Sequence, residues 1–316
     1  MRNKIFKTAF FGTQDFSVPA LEMLANHVNI ELRYVVCSPD KPAGRGLEVK
    51  RQPVAQFCLD HKISLFQTAN INHEEDFLNK LISDSLYLII VIAFSQFLSK
   101  RILSIPKFGC FNIHTSLLPK FRGASPIHHA LLHNESTTGI SIQKMVKKMD
   151  AGDIFYQSVI PIAADEVFQE LYTRLKFHSA ITLYEFIQTL ASMGLPAPII
   201  QDESKVSFAP IIDKSLGHLD FGVSTAIDIS NKIRALNPWP STFCFIYGQR
   251  VKILDATLTH DCLVPPGEIS LAKQKLFIGC ADATFEIERV CPEGKKNMST
   301  QQFLSGLRNQ NNLTLG

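Results

Sequence analysis

Seven cysteines are scattered through the 316 residues without a single Cys-x-x-Cys pair. An odd, unpaired set of this kind gives neither a zinc ribbon nor a disulfide framework, and no metal is expected. An excess of charge of one sign is lacking as well, with 32 Lys and Arg against 29 Asp and Glu. That balance lacks the basic excess of a strong non-specific DNA binder, so DNA is not expected as a partner. The longest apolar run, Leu86–Phe94, falls far short of the ~20 residues a bilayer-spanning helix needs. No apolar stretch with a cleavage site follows the basic N-terminal residues. These absences predict a soluble, cytoplasmic protein with no membrane partner. Gly12-Thr13-Gln14-Asp15-Phe16 does not follow the Gly-x-Gly-x-x-Gly spacing, which excludes a dinucleotide fingerprint.

The composition that remains is globular, 46% hydrophobic and 19% charged, and the length suggests two domains. A buried strand over 7–12, a helix over 17–27 capped by Ser17, and a strand over 30–37 make a β-α-β opening, which predicts a parallel sheet. The segment 38–46 holds two prolines and two glycines and reads as a loop with no helix or strand. It carries Lys41 and Arg45, with Lys50 and Arg51 just beyond. Residues 86–93 are apolar throughout, as in a strand covered on both faces. A helix over 126–134 contains His129 and His133 one turn apart, a spacing able to ligate metal, but no carboxylate or thiol motif completes such a site. After strands over 138–145 and 154–162, a long helix ends near Met193. Gly194-Leu195-Pro196-Ala197-Pro198 then opens a linker, and the texture changes to short alternating segments that predict a small β-barrel. The expected domains are therefore residues 1–193, a linker over 194–207, and 208–316.

The most informative stretch is Phe111-Asn112-Ile113-His114-Thr115-Ser116-Leu117-Leu118-Pro119-Lys120-Phe121-Arg122-Gly123. It reads as a strand entering a tight loop. Residues two apart share a strand face, so an amide donor at Asn112 and an imidazole at His114 converge. That pair suits a reaction in which charge builds on an oxygen while a proton moves.

Taken together, Asn-x-His-x-Ser-Leu-Leu-Pro-x-x-Arg-Gly resembles the signature of the formyltransferases that use 10-formyltetrahydrofolate. The resemblance implies a Rossmann-like open α/β sheet followed by an OB-like barrel. It also implies an Asn-His-Asp catalytic trio, whose third member falls in an Asp-x-Gly-Asp turn and points to Asp150, with Asp153 the competing candidate. Folate is expected against Ser116, Leu117, Leu118 and Pro119, and against the loop Phe94-Ser95-Gln96, where the family typically reads Tyr-Gly at Phe94-Ser95. The Pro-Asp-x-Pro-Ala-Gly-Arg-Gly loop at 39–46 is similar to one that methionyl-tRNA formyltransferases direct at the tRNA acceptor end. This implies initiator methionyl-tRNA as partner, met by Lys41, Arg45, Lys50 and Arg51. Leu47-Glu48 stands where many members carry a basic pair. Two other readings stay open: an amino-sugar N-formyltransferase of the same superfamily, and a non-catalytic tRNA-binding protein.

Overall fold

A computed structural model describes residues 4–43, 48–260, 262–307 and 314–315. Its contacts divide the chain into two compact units. The first unit comprises 1–126, 137–161 and 172–208, and the second 127–136, 162–171 and 209–316.

The elements up to the long helix are β1 (Phe6–Gly12), α1 (Val18–Asn26), β2 (Ile30–Cys37), β3 (Lys41–Ala43), β4 (Glu48–Lys50), α2 (Pro53–Asp60), β5 (Leu65–Gln67), α3 (Glu75–Ser83), β6 (Leu88–Ile92), α4 (Lys100–Leu103), β7 (Gly109–His114), α5 (Pro126–Leu132), β8 (Thr137–Lys144), β9 (Ile154–Pro161) and α6 (Phe168–Met193). Seven strands form one sheet in the order β5-β2-β1-β6-β7-β8-β9. The pairs from β5 to β7 are parallel, while β8 and β9 run antiparallel. The sheet is mixed rather than wholly parallel: β8 runs against β7 although α5 lies between them in the chain, and a short turn then reverses the chain into β9.

All five residues of β6 are buried, as a strand with both faces covered requires. On one face Phe11, Ile89, Val91, Phe94 and Cys110 pack with Phe77, Leu78 and Leu81 of α3. On the other, Phe111 meets Phe155 and Phe186 of α6, each with ring centroids 5.3 Å away. The chain begins β1 mid-sheet, moves outward to β2 and β5, and returns to β6 on the other side of β1. Strand order therefore reverses between β1 and β6, and the crevice beyond the carboxyl ends there is where open sheets place ligands.

Two local expectations are corrected. The segment after Ser38 is not wholly loop: β3 and β4 pair as an antiparallel hairpin with Lys41 opposite Lys50. Pro42 is tolerated because its missing N–H costs a bond only where a ladder needs that donor, and an isolated hairpin is all edge. Ser17 precedes α1 without a side-chain cap. Its buried hydroxyl donates instead to the Ile92 carbonyl at 2.9 Å, so tertiary contact displaces the local cap.

In the second unit α7 (Ala226–Leu236) starts with a capping box between Thr225 and Asp228. It is followed by β10 (Thr242–Ile246), β11 (Gln249–Thr259), β12 (Ile269–Ala272), β13 (Lys275–Gly279), β14 (Thr284–Pro292), β15 (Met298–Ser299) and α8 (Thr300–Ser305). These strands make a six-stranded antiparallel sheet, β10-β11-β14-β13-β12, with β15 on β14. Leu219, Phe221, Ile229, Ile253, Ile278 and Phe285 are among its buried core. Strands β12 and β15 were not foreseen, since each is too short to show alternation. Asn237 ties the Asn-Pro-Trp-Pro segment down: its amide nitrogen donates to the carbonyls of Ile233 and Ile253, and its oxygen accepts from Ser241.

Gly139 sits where β8 passes Leu117, and a Cβ there would lie 2.1 Å from the Ser158 carbonyl oxygen and 2.5 Å from Leu117 Cδ2. Gly139→Ala is expected to lower stability by about 2–3 kcal/mol through overpacking against backbone. A urea melt with an unchanged slope and a lower midpoint is the check.

Candidate active site

Asn112 and His114 lie near and at the end of β7. Across the sheet Asn112 faces Gln143 and His114 faces Ser141, both on β8. Cross-strand partners share a face, so four polar side chains are gathered on one side of two strands. His114 is 5% exposed. Its Nε2 lies 2.9 Å from the Phe121 carbonyl. A carbonyl only accepts, so Nε2 carries the proton. Nδ1 then faces the Asp150 carboxylate, with Oδ2 at 3.7 Å.

Asp150 lies in the turn between β8 and β9. Its Oδ1 accepts from Gln143 Nε2 at 2.7 Å and from Asn112 Nδ2 at 3.4 Å. Its Oδ2 accepts from the Gly123 N–H at 3.0 Å. Asn112, His114 and Asp150 are thus brought together. Asp153 instead offers its backbone carbonyl to the Lys144 N–H. Gln143 was missed by the sequence reading. Only its alternation with Ser141 along β8 could have marked it, and that pattern is common to many strands.

The loop after β7 is pinned from β8 and β9. Ser141 Oγ donates to the Ser116 carbonyl at 2.6 Å and accepts from the Leu118 N–H at 3.1 Å. Gln157 Nε2 donates to the Leu118 carbonyl and to Ser141 Oγ. Ser116 uses its own hydroxyl on the Lys120 carbonyl, and both Ser116 and Leu118 are buried, while Leu117 and Pro119 are partly exposed. Ser141 and Gln157 are further residues without a sequence signal. They act on a loop distant in the chain.

The loop after β6 is shaped by Ala93 and Ser95, with φ of 44° and 61°. Phe94 turns inward and packs on Phe11, ring centroids 5.3 Å apart, so only its backbone is available to a ligand. Ser95 is exposed. Gln96 is occupied within the chain: its Oε1 accepts from the Ile71 N–H and its Nε2 donates to the Thr68 carbonyl, both at 2.9 Å. It anchors the loop rather than presenting a free amide.

On the β3–β4 hairpin, Lys41 and Lys50 are exposed and directly paired in register. Arg51 follows, with Nε 3.9 Å from Asp40 Oδ2. Arg45 lies outside the described residues. In α5 and just after it, the His133 Nδ1 lies 2.8 Å from the His129 carbonyl. Among the described residues no group of three or more His, Cys, Asp or Glu is placed to hold a metal ion, and no helix is long and apolar enough to cross a membrane.

The family model described as formyl transferase matches residues 6–187, and that described as formyl transferase, C-terminal domain, matches 211–308. A methionyl-tRNA formyltransferase of Caldanaerobacter subterraneus subsp. tengcongensis is 35% identical over 95% of this chain and 96% of its own. Those of Alkaliphilus oremlandii and Enterococcus faecalis are 37% and 36% identical, again over 95% of this chain and 96% of theirs. Among solved structures, the sugar 3N-formyl transferase WlaRD superposes with a TM-score of 0.64 at 20% identity, covering 92% of this chain and 99% of that one. HypX from Aquifex aeolicus in complex with tetrahydrofolic acid gives 0.62 at 14% identity, covering 95% of this chain and 47% of that one. At those identities the likeness to the two structures is one of fold.

Replacing Ser141 with Ala strands the buried Leu118 N–H without its acceptor. The expected loss is about 1–3 kcal/mol of stability, read as a lower denaturant midpoint.

Proposed function

The chain belongs to the formyl transferase family, and on that footing we propose that it moves the formyl group of 10-formyltetrahydrofolate to the α-amino group of methionyl initiator tRNA, yielding N-formylmethionyl-tRNA. The observation that carries this is the meeting of the Asn112 amide, the His114 ring and the Asp150 carboxylate at the carboxyl ends of the central strands. Support for the acceptor comes from full-length relatives named methionyl-tRNA formyltransferase at 33–37% identity, while the sugar formyltransferases among the structural neighbours are at 20% or less. Folate as donor is supported by the family and by neighbours solved with tetrahydrofolic acid or 5-N-formyl-THF.

In the reaction the methionyl amine forms a bond to the formyl carbon, and the bond from that carbon to N10 of the folate breaks. The amine loses a proton and N10 gains one, so no net proton is consumed. Between these events the formyl oxygen carries negative charge. Asn112 Nδ2 bears two hydrogens, only one of which is directed at Asp150, and the other stabilises that oxyanion. His114 relays the proton through Nδ1, since Nε2 is committed to the Phe121 carbonyl. Asp150 holds Asn112 by accepting from its Nδ2 and stabilises the charge that His114 gains when Nδ1 takes up the proton. Backbone groups of Phe94, Ser95 and Gln96, together with Ser116 to Pro119, border the folate.

Residues 1–193 carry the chemistry, 194–207 link, and 208–316 hold the tRNA. Lys41, Arg45, Lys50 and Arg51 meet the phosphates of the acceptor end, Arg51 with part of its charge offset by Asp40. The site of action is the cytoplasm, where initiator tRNA is charged and used.

The direct test is transfer of labelled formyl to methionyl-tRNA set against a nucleotide-linked amino sugar, with label expected in the tRNA alone. His114→Ala is expected to lower kcat on the order of a hundredfold or more with little change in KM for tRNA. A near-normal kcat removes His114 from the mechanism. The double variant Lys41→Ala/Lys50→Ala should bind tRNA more weakly and flatten the salt dependence of binding by roughly one to two units of log–log slope. Equal slopes for the variant and the wild type place the hairpin off the phosphates.

A further inference from the structure

Two buried side chains beside the trio have no part in the chemistry above. Arg122 is 2% exposed and Gln201 is 6% exposed. Arg122 donates from Nε and Nη2 to Gln201 Oε1 at 3.0 and 2.9 Å. The other end of the same amide, Gln201 Nε2, donates to the carbonyls of Asp150 and Gly152 at 2.9 and 2.7 Å.

The two segments joined in this way are those that hold the site. Arg122 stands between Phe121, whose carbonyl meets His114 Nε2, and Gly123, whose N–H meets Asp150 Oδ2. Gln201 grips the backbone of Asp150 itself. One amide therefore sets the spacing between the segment that orients His114 and the turn that carries Asp150.

That turn needs an external hold. Asp150 has a φ of 50°, in the left-handed region that side-chain-bearing residues enter only when surrounded by fixing contacts. At Gly152 a Cβ would lie 1.7 Å from the Lys144 carbonyl oxygen, so the turn is pressed onto β8 with no room to readjust. A buried cation is moreover a poor source of stability. Arg122 reaches Glu203 at 2.8 Å, yet its Nη1 is buried with no hydrogen-bond partner among the described residues. A stretch of chain selected for stability alone is better served by apolar side chains here.

We propose that Arg122 and Gln201 are positioning residues for formyl transfer: through one amide they fix the Asp150 turn against the Phe121–Gly123 segment, and so set the geometry of Asp150 and His114. The proposal rests on the reading of Asn112, His114 and Asp150 as the reacting trio. A displacement of about 1 Å at such a site is enough to reduce turnover on the order of a hundredfold.

The test uses the full chain and three variants, Gln201→Leu, Gln201→Glu and Arg122→Lys, with turnover measured on the folded fraction and melting followed in parallel. Gln201→Leu removes both ends of the amide. Gln201→Glu keeps an acceptor for Arg122, but as a carboxylate it donates to neither carbonyl. Arg122→Lys keeps the charge and loses the fork onto Oε1. The expected result is a fall in kcat of at least tenfold for both Gln201 variants, with KM for folate and for methionyl-tRNA held within about threefold. Both Gln201→Glu and Arg122→Lys should melt below wild type yet remain folded at the assay temperature, with Arg122→Lys intermediate in kcat.

If Gln201→Glu turns over within twofold of wild type, or if kcat falls only as the melting temperature falls, the pair is structural and the proposal is overturned. Failure of all three variants to fold likewise makes the pair structural and overturns it. A wild-type protein with no formyl transfer to methionyl-tRNA overturns the functional reading and this one with it. An active wild type with unimpaired Gln201 variants overturns this one alone.

Discussion

The first unit depends on how a largely buried carboxylate, the side chain of Asp150 at 12% exposure, is satisfied. A charge taken out of water is costly unless donors replace the water it loses. Asp150 meets donors from Asn112 on β7, Gly123 in the following loop and Gln143 on β8. Asn112 and Gly123 lie at opposite ends of one strand-and-loop stretch, and Gln143 comes from a separate strand. The carboxylate can be satisfied only when strand, loop and turn are all in place, and that requirement couples the fold to the site.

Sheet topology supplies the places. The parallel strands β1, β6 and β7 end along one edge, and strand order reverses at that edge. Antiparallel β8 then returns beside β7 and sets Gln143 and Ser141 against Asn112 and His114. Because β8 runs antiparallel to β7, the turn that leaves β8 toward β9 lies near Asn112 and carries Asp150 to it. Ser141 and Gln157 meanwhile hold the loop at 116–119 by its backbone, which leaves the outer surface of that loop available to a ligand.

Much of this was legible in order. The apolar run before Phe94, the Asn-x-His spacing and the Pro- and Gly-rich punctuation marked the central strands and their loops. Alternation marked the longer strands of the second unit, whereas β12 and β15 were too short to show it. The pairing of β3 with β4 was hidden because proline counts against a strand, although a two-stranded ribbon tolerates Pro42. Ser17 shows the opposite error. A strong local preference for capping gave way to a buried hydrogen bond with Ile92, far along the chain.

By itself the sequence determined the strand and helix material, the placing of Asn112 and His114 on one face, and the two candidate carboxylates Asp150 and Asp153. The elements and the shared face follow from local periodicity and a fixed two-residue strand repeat, whereas the two carboxylates follow from the resemblance to the family's Asp-x-Gly-Asp turn. Only the tertiary structure decided which carboxylate meets the ring, that Gln143 shares it, that Phe94 turns inward and Gln96 anchors its loop, and that Arg122 and Gln201 brace the turn. The reason is physical. Each of those roles depends on hydrogen bonds or burial between segments far apart in the chain, and a linear sequence carries no record of which distant donor a buried acceptor will meet.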